Sequence, residues 1–537
     1  VEKSPWTGTR GILLEIRSNR TSESFVGDAM KRLLVMAALA AAGCGTEMGA
    51  NPPEGSPPVV LATFTGEVDM VSGTVTIQSE PTALGRALGM KMMVVPEGTP
   101  GVTVANASVP WNNKVQGCPL VPTTSTTGAD VRVTSNYAAP TSLGNVYAEI
   151  TFVSLVGATA CNSDAAIPGV KSTNGGLWSY GNISAGANAV KTWAFTYGTG
   201  TRFTFRGQIV AFRVDAWTDR MPSVSNVGYR MAGNGASAIF VEAAANKVVL
   251  VDASGTYTES AALSAPPTGV ATNADGSQIW VSLGTVNKIA RLNAAGALVG
   301  TEIAVPAGNP EGITVDPISG VVWFALPNTG AYGGVGWYDP RPGANPASGT
   351  VEAFTRGGGV SPIVAVNVSG TCYLYTGTKT AGYPLRRINC TAKTDSRESF
   401  ALPAACGSPA ANVPLVAGAN GDVWMAGTAT GGTICRISGT TTITVTKEFD
   451  AGGSATFSAL AYGSDSNLWV MKSGTGLCRI WLGATDRGTQ TCLGALVPST
   501  ATYGIAVGAA AVPVPAAIWA PNAGATAGKS NLTRVIP

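Results

Sequence analysis

The sequence predicts an all-β protein: an N-terminal antiparallel β-sandwich, Ig-like, followed by a seven-bladed β-propeller. Three observations predict it. Of 537 residues, 12% are charged and 45% hydrophobic, while Gly (68) and Pro (33) abound. Low charge with many turn formers fits short strands and tight turns, not disorder. From Val59 to Asp215, short runs alternate apolar and polar residues, as half-buried strands do. From residue 221 to Pro537, one segment recurs seven times around an aromatic anchor. No apolar run approaches the ~20 residues of a membrane-spanning helix. Histidine is absent, which removes Ser-His-Asp, Cys-His and His-metal chemistry together.

The N-terminal residues read as an address. Lys31 and Arg32 precede the short apolar stretch Leu33 to Ala42, which runs into Ala41-Ala42-Gly43-Cys44. This stretch resembles the lipobox of bacterial lipoproteins, except at Ala41, where that family prefers Leu. The resemblance implies cleavage before Cys44, lipidation of its sulfur, and a membrane association through lipid alone. Gly45 stands where an Asp would retain a Gram-negative lipoprotein at the inner membrane. By that similarity the expected location is the cell envelope, at the outer membrane, on its periplasmic or surface face. The other reading is an ordinary secretory signal with an incidental cysteine. Signals are read at a chain start, so residues 1–29 are expected to be a spurious upstream extension with Met30 as initiator, or else a genuine cytosolic leader. Residues 30–43 are then the signal peptide. Residues 44–58, rich in Gly and Pro, form a flexible tether.

Charge and cysteine usage fit export. The six basic and four acidic side chains of residues 1–43 carry +2 of the net +3, leaving +1 for the rest. That balance gives no electrostatic case for nucleic acid or an anionic membrane surface. Of nine cysteines, Cys44 is assigned to lipid and eight remain. An even number in an exported chain suggests disulfides. No CxxC pair offers a zinc or haem site. The expected pairs are Cys118–Cys161, Cys390–Cys406 and Cys478–Cys492, from spacing alone, with the later six cysteines leaving other pairings open.

The sandwich is assigned to 59–215. Its best strands are VVLATFTGEVDM, DVRVTSNY, VYAEITFVSLV, AVKTWAFTYG and RFTFRGQIVAFRVD, with Trp178, Trp193, Phe203 and Phe205 as core aromatics. The propeller, 221–537, is anchored at Phe240, Trp280, Trp323, Tyr373, Trp424, Trp469 and Trp519, at intervals of 40 to 51 residues. Each copy reads strand, Gly/Asp/Asn turn, aromatic strand, third strand and a weaker fourth. Blades of four strands packed radially protect one another's edges. The last copy stops after its third strand, so its outer strand is expected from the chain just before Val227.

The units PTGVATNADGSQIWVS with NKIARLN, and PEGITVDPISGVVWF, resemble those of virginiamycin B lyases (streptogramin lyases) over about Val227 to Pro537. The resemblance implies a propeller fold. It also implies an elimination across the ester of a cyclic depsipeptide, carried by histidines, a glutamate and Mg²⁺. Here Thr268 and Glu311 stand where the family can place His, and Trp323-Phe324-Ala325-Leu326 lacks the family's terminal Glu. The implied activity therefore loses its residues.

The starts of the innermost strands line one mouth of the central channel. By alignment these are Val227, Thr268, Glu311, Ser361, Val413, Ser458 and Tyr503. Acid–base catalysis wants two placed groups with separated pKa values, and a divalent metal wants several oxygens. One carboxylate and one phenol are thin for either. The candidate ligand-binding set is Thr268, Glu311, Ser361, Ser458 and Tyr503, against a plugged, water-filled channel. Asp275, Asp316, Asp422 and Asp465 recur in the first turns, as turn residues in preference to calcium ligands. Arg291, Arg436 and Arg479 are expected to bridge blades or face solvent. The expectation is a non-catalytic envelope protein that binds a protein, peptide or glycan, with the sandwich as spacer or adhesion module and no cofactor. The alternative is a lyase or hydrolase using carboxylates with Mg²⁺ or Ca²⁺.

Overall fold

The computed structural model describes residues 59–69, 71, 74–81, 102–107, 111–112, 125–154, 159–164, 176–197, 202–224, 232–234, 237–252, 254–305, 308–329, 332–344, 348–354, 360–378, 385–393, 398–400, 402–407, 415–427, 432–439, 442–450, 456–484, 487–494, 496, 505–507, 517–523 and 529–536. The signal, Cys44 and the tether lie outside the described residues. Among those described, the regular elements are strands and three short 3₁₀ turns, and no helix is long and apolar enough to cross a membrane.

Two sheets form the sandwich. One contains Thr74–Pro81, Val59–Asp69, the first half of Arg202–Pro222, Thr141–Val153 and Leu177–Ile183; the other contains Val102–Asn106, Trp111–Asn112, Ser125–Ser135, Asn188–Tyr197 and Thr159–Ala160. All pairings are antiparallel. Large aromatics fill the gap, because alternate residues of each strand point inward. Trp178 stacks on Trp193 with ring centroids 4.6 Å apart, and Phe64 and Phe205 close around Trp193 at 5.4 and 6.0 Å.

Six four-stranded sheets follow, between Ala232 and Cys492, and each is a simple meander with strands in sequence order. The seventh blade has Ala506–Val507, Ile518–Ala523 and Lys529–Ile536, and takes its outer strand from Arg202–Pro222. The innermost strands touch one another in succession from Ala232–Asn234 to Ala506–Val507, and these two also touch, so the ring closes. Each seam between blades has its own apolar core. Trp280 packs with Ile313, Val322 and Phe324 of the next blade, Trp323 with Ile363 and Leu374, and Trp424 with Phe457 and Leu468. Tyr373 is only half-buried, and Tyr375, two residues on, is the fully buried ring of that blade. A phenol at the anchor position keeps its hydroxyl near water, which an indole in an apolar seam need not do.

Arg202–Pro222, 21 residues long, joins the two domains. On one edge it pairs with Thr141–Val153. On the other it pairs first with Val59–Asp69, through Val59 opposite Ala211, and then with Lys529–Ile536, through Ile536 opposite Arg213. The core of the sandwich runs without a break into the seam between the seventh and first blades, where Trp519, Phe240 and Val249 lie. The first strand thus starts at the waist between the domains.

The disulfides correct one expected pair. Cys478–Cys492 forms, between directly opposed residues of the third and fourth strands of the sixth blade. Cys390 does not pair with Cys406: Cys390 bonds Cys372, and Cys406 bonds Cys435. Sequence spacing missed this because hairpin register sets Cys372 beside Cys390, Cα atoms 5.4 Å apart, whereas the turn that leads into the fifth blade brings Cys406 to the third strand of that blade, 6.1 Å from Cys435. Cys161 is disulfide-bonded, and its expected partner Cys118 lies outside the described residues.

Candidate ligand-binding mouth of the propeller

Thr268 immediately precedes the innermost strand of the second blade, Gly269–Thr272, and Glu311 stands two residues before that of the third, Ile313–Val315. Backbone pairing fixes both: Thr268 N–H donates to Ser282 O at 2.8 Å, and Glu311 N–H to Ala325 O at 3.0 Å. The Thr268 hydroxyl donates to Pro310 O at 2.6 Å and accepts from Gly284 N–H at 3.2 Å. Ser282, fully buried, donates its hydroxyl to Glu311 O. Asn287 Oδ1 accepts from Gly308 and Asn309 N–H at 3.1 and 2.9 Å. A Cβ on Gly269 would collide with the Glu311 carbonyl, so the close approach needs glycine there. The polar groups at this part of the mouth therefore clamp one blade to the next. The Glu311 side chain is half-buried beside them.

The other expected mouth residues are placed unevenly. Ser458 is exposed, at a bulge where register shifts between Phe457 and Ala459. Ser361 lies in Val360–Val368, where register shifts between Val360 and Ile363. Tyr503, Val227 and Val413 lie outside the described residues. Of the expected set, Thr268 and Glu311 are the two that the structure brings together.

The recurrent carboxylates hold their own blades. Asp275 Oδ1 accepts from Ser277 N–H at 2.8 Å, and this bond draws its carboxyl below the ordinary range. Asp316 accepts from Ile318 N–H at 2.8 Å and from the Ser319 hydroxyl. Asp422 receives Arg436 Nε at 2.8 Å, and Asp465 receives Arg479 Nε at 2.7 Å. Arg436 thus pairs within its blade, where bridging or solvation was expected. Its guanidinium lies 5.8 Å from the Trp424 ring, and Arg291 lies likewise over Trp280. Register explains this, since Trp280 faces Arg291, Trp424 faces Arg436 and Trp469 faces Arg479 across adjacent strands. Arg479 also reaches the long joining strand, 5.4 Å from the Phe212 ring.

A cluster of Asp316, Cys372 and Cys390 has metal-ligand spacing, but its two sulfurs are joined in a disulfide and offer no thiolate. A cavity of about 10 Å³ lies between the sandwich sheets, lined by Val68, Ala129, Trp193 and Phe205. Its size and apolar lining suit a packing void, not a ligand.

Sequence reasoning missed the polar site at the waist. Asp215, Arg213 and Arg534 are all at most 1% exposed. Arg213 Nε lies 3.1 Å from Asp215 Oδ1, and Arg534 Nε donates to Oδ2 at 2.9 Å. Thr141 Oγ1 donates to Oδ1 at 2.5 Å. Burial pushes the Asp215 carboxyl up, yet the two guanidiniums and the Thr141 bond outweigh it and hold it below its ordinary value. Arg534 also lies 5.5 Å from Trp519, which stacks against Trp217 of the joining strand. The signal was a lone Asp in the apolar run IVAFRVDAW, a charge that such a strand can bury only with partners.

Strand order and ring closure define the chain as a β-propeller protein with a fused sandwich. No protein-family model matches its sequence, and no curated protein matches it. Among solved structures, a streptogramin B lyase is similar at 20% identity and TM-score 0.45, over 60% of this chain and 98% of that one. A catalytically inactive virginiamycin B lyase from Staphylococcus aureus with quinupristin is similar at 19% and 0.45, over 61% and 99%. The β-propeller domain of Cps50 (Swd1) from Myceliophteria thermophila is similar at 11% and 0.41, over 59% and 98%.

Proposed function

We propose that this chain is an exported, lipid-anchored propeller protein of the cell envelope that binds a protein, peptide or glycan at the propeller mouth and performs no catalysis. Its kinship to virginiamycin B lyases is then one of shape. One observation carries the reading: around Glu311, the hydroxyls of Thr268 and Ser282 are engaged in clamping blades. A single carboxylate without histidine gives no acid and base with separated pKa values. Disulfides in three successive blades support folding in an oxidising compartment.

The test is a thermal-shift screen of residues 59–537 against Mg²⁺, Ca²⁺, peptides and glycans. A ligand of the folded state raises the midpoint. A peptide or glycan whose shift disappears in Glu311→Gln supports the reading. Ester cleavage of a cyclic depsipeptide by the purified chain overturns it.

A further inference from the structure

We propose that Asp316, Cys372 and Cys390 form a redox-gated zinc site at the seam of the third and fourth blades, closed while the disulfide stands and open to one Zn²⁺ once a dithiol or a phosphine has reduced it. The site lies at the other end of the innermost strand Ile313–Val315 from Glu311, and the proposal does not rest on ligand binding at the mouth. Comparison among the repeats sets Asp316 apart. Asp275 is exposed. Asp422 and Asp465 are buried, and each pairs with the arginine that faces its anchor tryptophan across the hairpin, Arg436 and Arg479. In the third blade that facing position is Trp337. Asp316 is 2% exposed, and among the described residues it has no ion pair. Its carboxylate accepts from Ile318 N–H and the Ser319 hydroxyl. Arg341 feels its charge but bonds Asp339, as Lys393 does. A carboxylate withdrawn from water calls for a cation or a metal as partner. Asp316 has two sulfurs instead: its oxygen and those of Cys372 and Cys390 all lie within 4.8 Å of one another.

Opening the site is a thiol–disulfide exchange. A dithiol attacks one sulfur, the S–S bond breaks, both cysteines are left as thiols, and the reductant carries away the new disulfide. Zn²⁺ then displaces the two thiol protons and gains two thiolates and the Asp316 oxygen, with water in the fourth place. Bonds of about 2.3 Å from zinc to sulfur set the two sulfurs roughly 3.8 Å apart in a tetrahedral site. Cys372 and Cys390 stand across one hairpin with Cα atoms 5.4 Å apart, so side-chain rotation reaches that span. Both sulfurs are buried, yet Ile318 of the overlying turn and Thr391, next to Cys390, are exposed. Two thiolates with one carboxylate suit Zn²⁺, whereas Mg²⁺ and Ca²⁺ take oxygen ligands. The two states exclude each other: oxidation expels the metal, and the metal keeps the sulfurs apart. Cys406–Cys435 and Cys478–Cys492 have no carboxylate within such reach among the described residues.

The experiment reduces the full chain with a phosphine under nitrogen, removes the reductant, and titrates with Co²⁺ as a coloured probe and then with Zn²⁺ in competition. Circular dichroism follows the fold throughout. The reduced, folded chain is expected to show a thiolate-to-cobalt absorption band that Zn²⁺ abolishes, and the oxidised chain none. Cys372→Ser with Cys390→Ser is expected to lose the band, and Cys478→Ser with Cys492→Ser to keep it. Asp316→Asn is expected to weaken cobalt binding roughly tenfold or more. No band in the reduced chain, a band that survives loss of Cys372 and Cys390, or unchanged affinity in Asp316→Asn overturns the proposal. So does a disulfide that the phosphine opens only as the fold is lost. A further measurement needs no substitution: Zn²⁺ is expected to shield Cys372 and Cys390 of the reduced chain from iodoacetamide, read by peptide mass. Equal labelling with and without the metal overturns the site.

Discussion

Asp215 carries the charge balance of the waist. Removing its carboxylate in Asp215→Ala takes away the buried anion that Arg213 and Arg534 share, which costs about 3–5 kcal/mol. A large drop in the urea midpoint, with activity-independent readout by tryptophan fluorescence, checks this. Its folded pKa is lowered from 3.8, so its contribution is full above the unfolded value and is lost as pH falls below it. Glu242 behaves oppositely. It is 8% exposed, its Oε2 has no hydrogen-bond partner, and burial, then the charge of Glu259, raise its pKa from 4.5. The stability it gives is complete below 4.5 and is lost as pH rises through the folded value. Glu242→Gln is therefore expected to stabilise at pH 7 by about 1 kcal/mol and to change little at pH 4, checked by melts at both pH values. At this scale the anchors Trp280, Trp323, Trp424, Trp469 and Trp519 were legible, because burial of an indole follows from pattern. The partners of Asp215 were not, since Arg534 lies 319 residues away and only tertiary packing unites them.

The joining strand is the element on which the ring depends. A chain of residues 223–537 lacks the outer strand of its seventh blade and exposes the edge of Lys529–Ile536. It is expected to aggregate or to melt without a cooperative transition, whereas 59–537 melts cooperatively; calorimetry on both checks this. The disulfides staple blades four to six and none of the described cysteines lies in blades one to three. Opening the loop of Cys478–Cys492, with a separation of 14 residues, by Cys478→Ser with Cys492→Ser costs about 3 kcal/mol. A fall in melting midpoint of the double variant measures it. Strand existence was legible from alternation and repeat. Cysteine pairing was not, because Cys372 and Cys390 meet only through the hairpin that aligns their strands.

At the scale of the molecule, the core of the sandwich runs into the seam between the seventh and first blades, and the other seams follow around the ring. Sandwich and propeller are expected to unfold together, so probes of the sandwich, such as the Trp178 and Trp193 stack, and probes of the sixth blade should lose signal at one denaturant concentration. Separate midpoints would count against coupling. The repeat gave the number of blades and the end of the last copy pointed to a strand from elsewhere. The mouth was less legible: position in the repeat located Thr268 and Glu311, but not that the Thr268 hydroxyl is engaged with Pro310, which is a property of packing between blades. Fusion was hidden for the same reason, since nothing in RFTFRGQIVAFRVDAW marks where one sheet hands over to another.

Val59 and Ile536 meet that strand at Ala211 and Arg213, two residues apart, roughly 7 Å. The start of the first described strand and the end of the last are thus close enough for a short linker. A circular permutant of residues 59–536, opened between the exposed Gly300 and Thr301, with a few glycines and serines joining Ile536 to Val59, would keep every described strand pair and move the free amino terminus to the outside of the second blade.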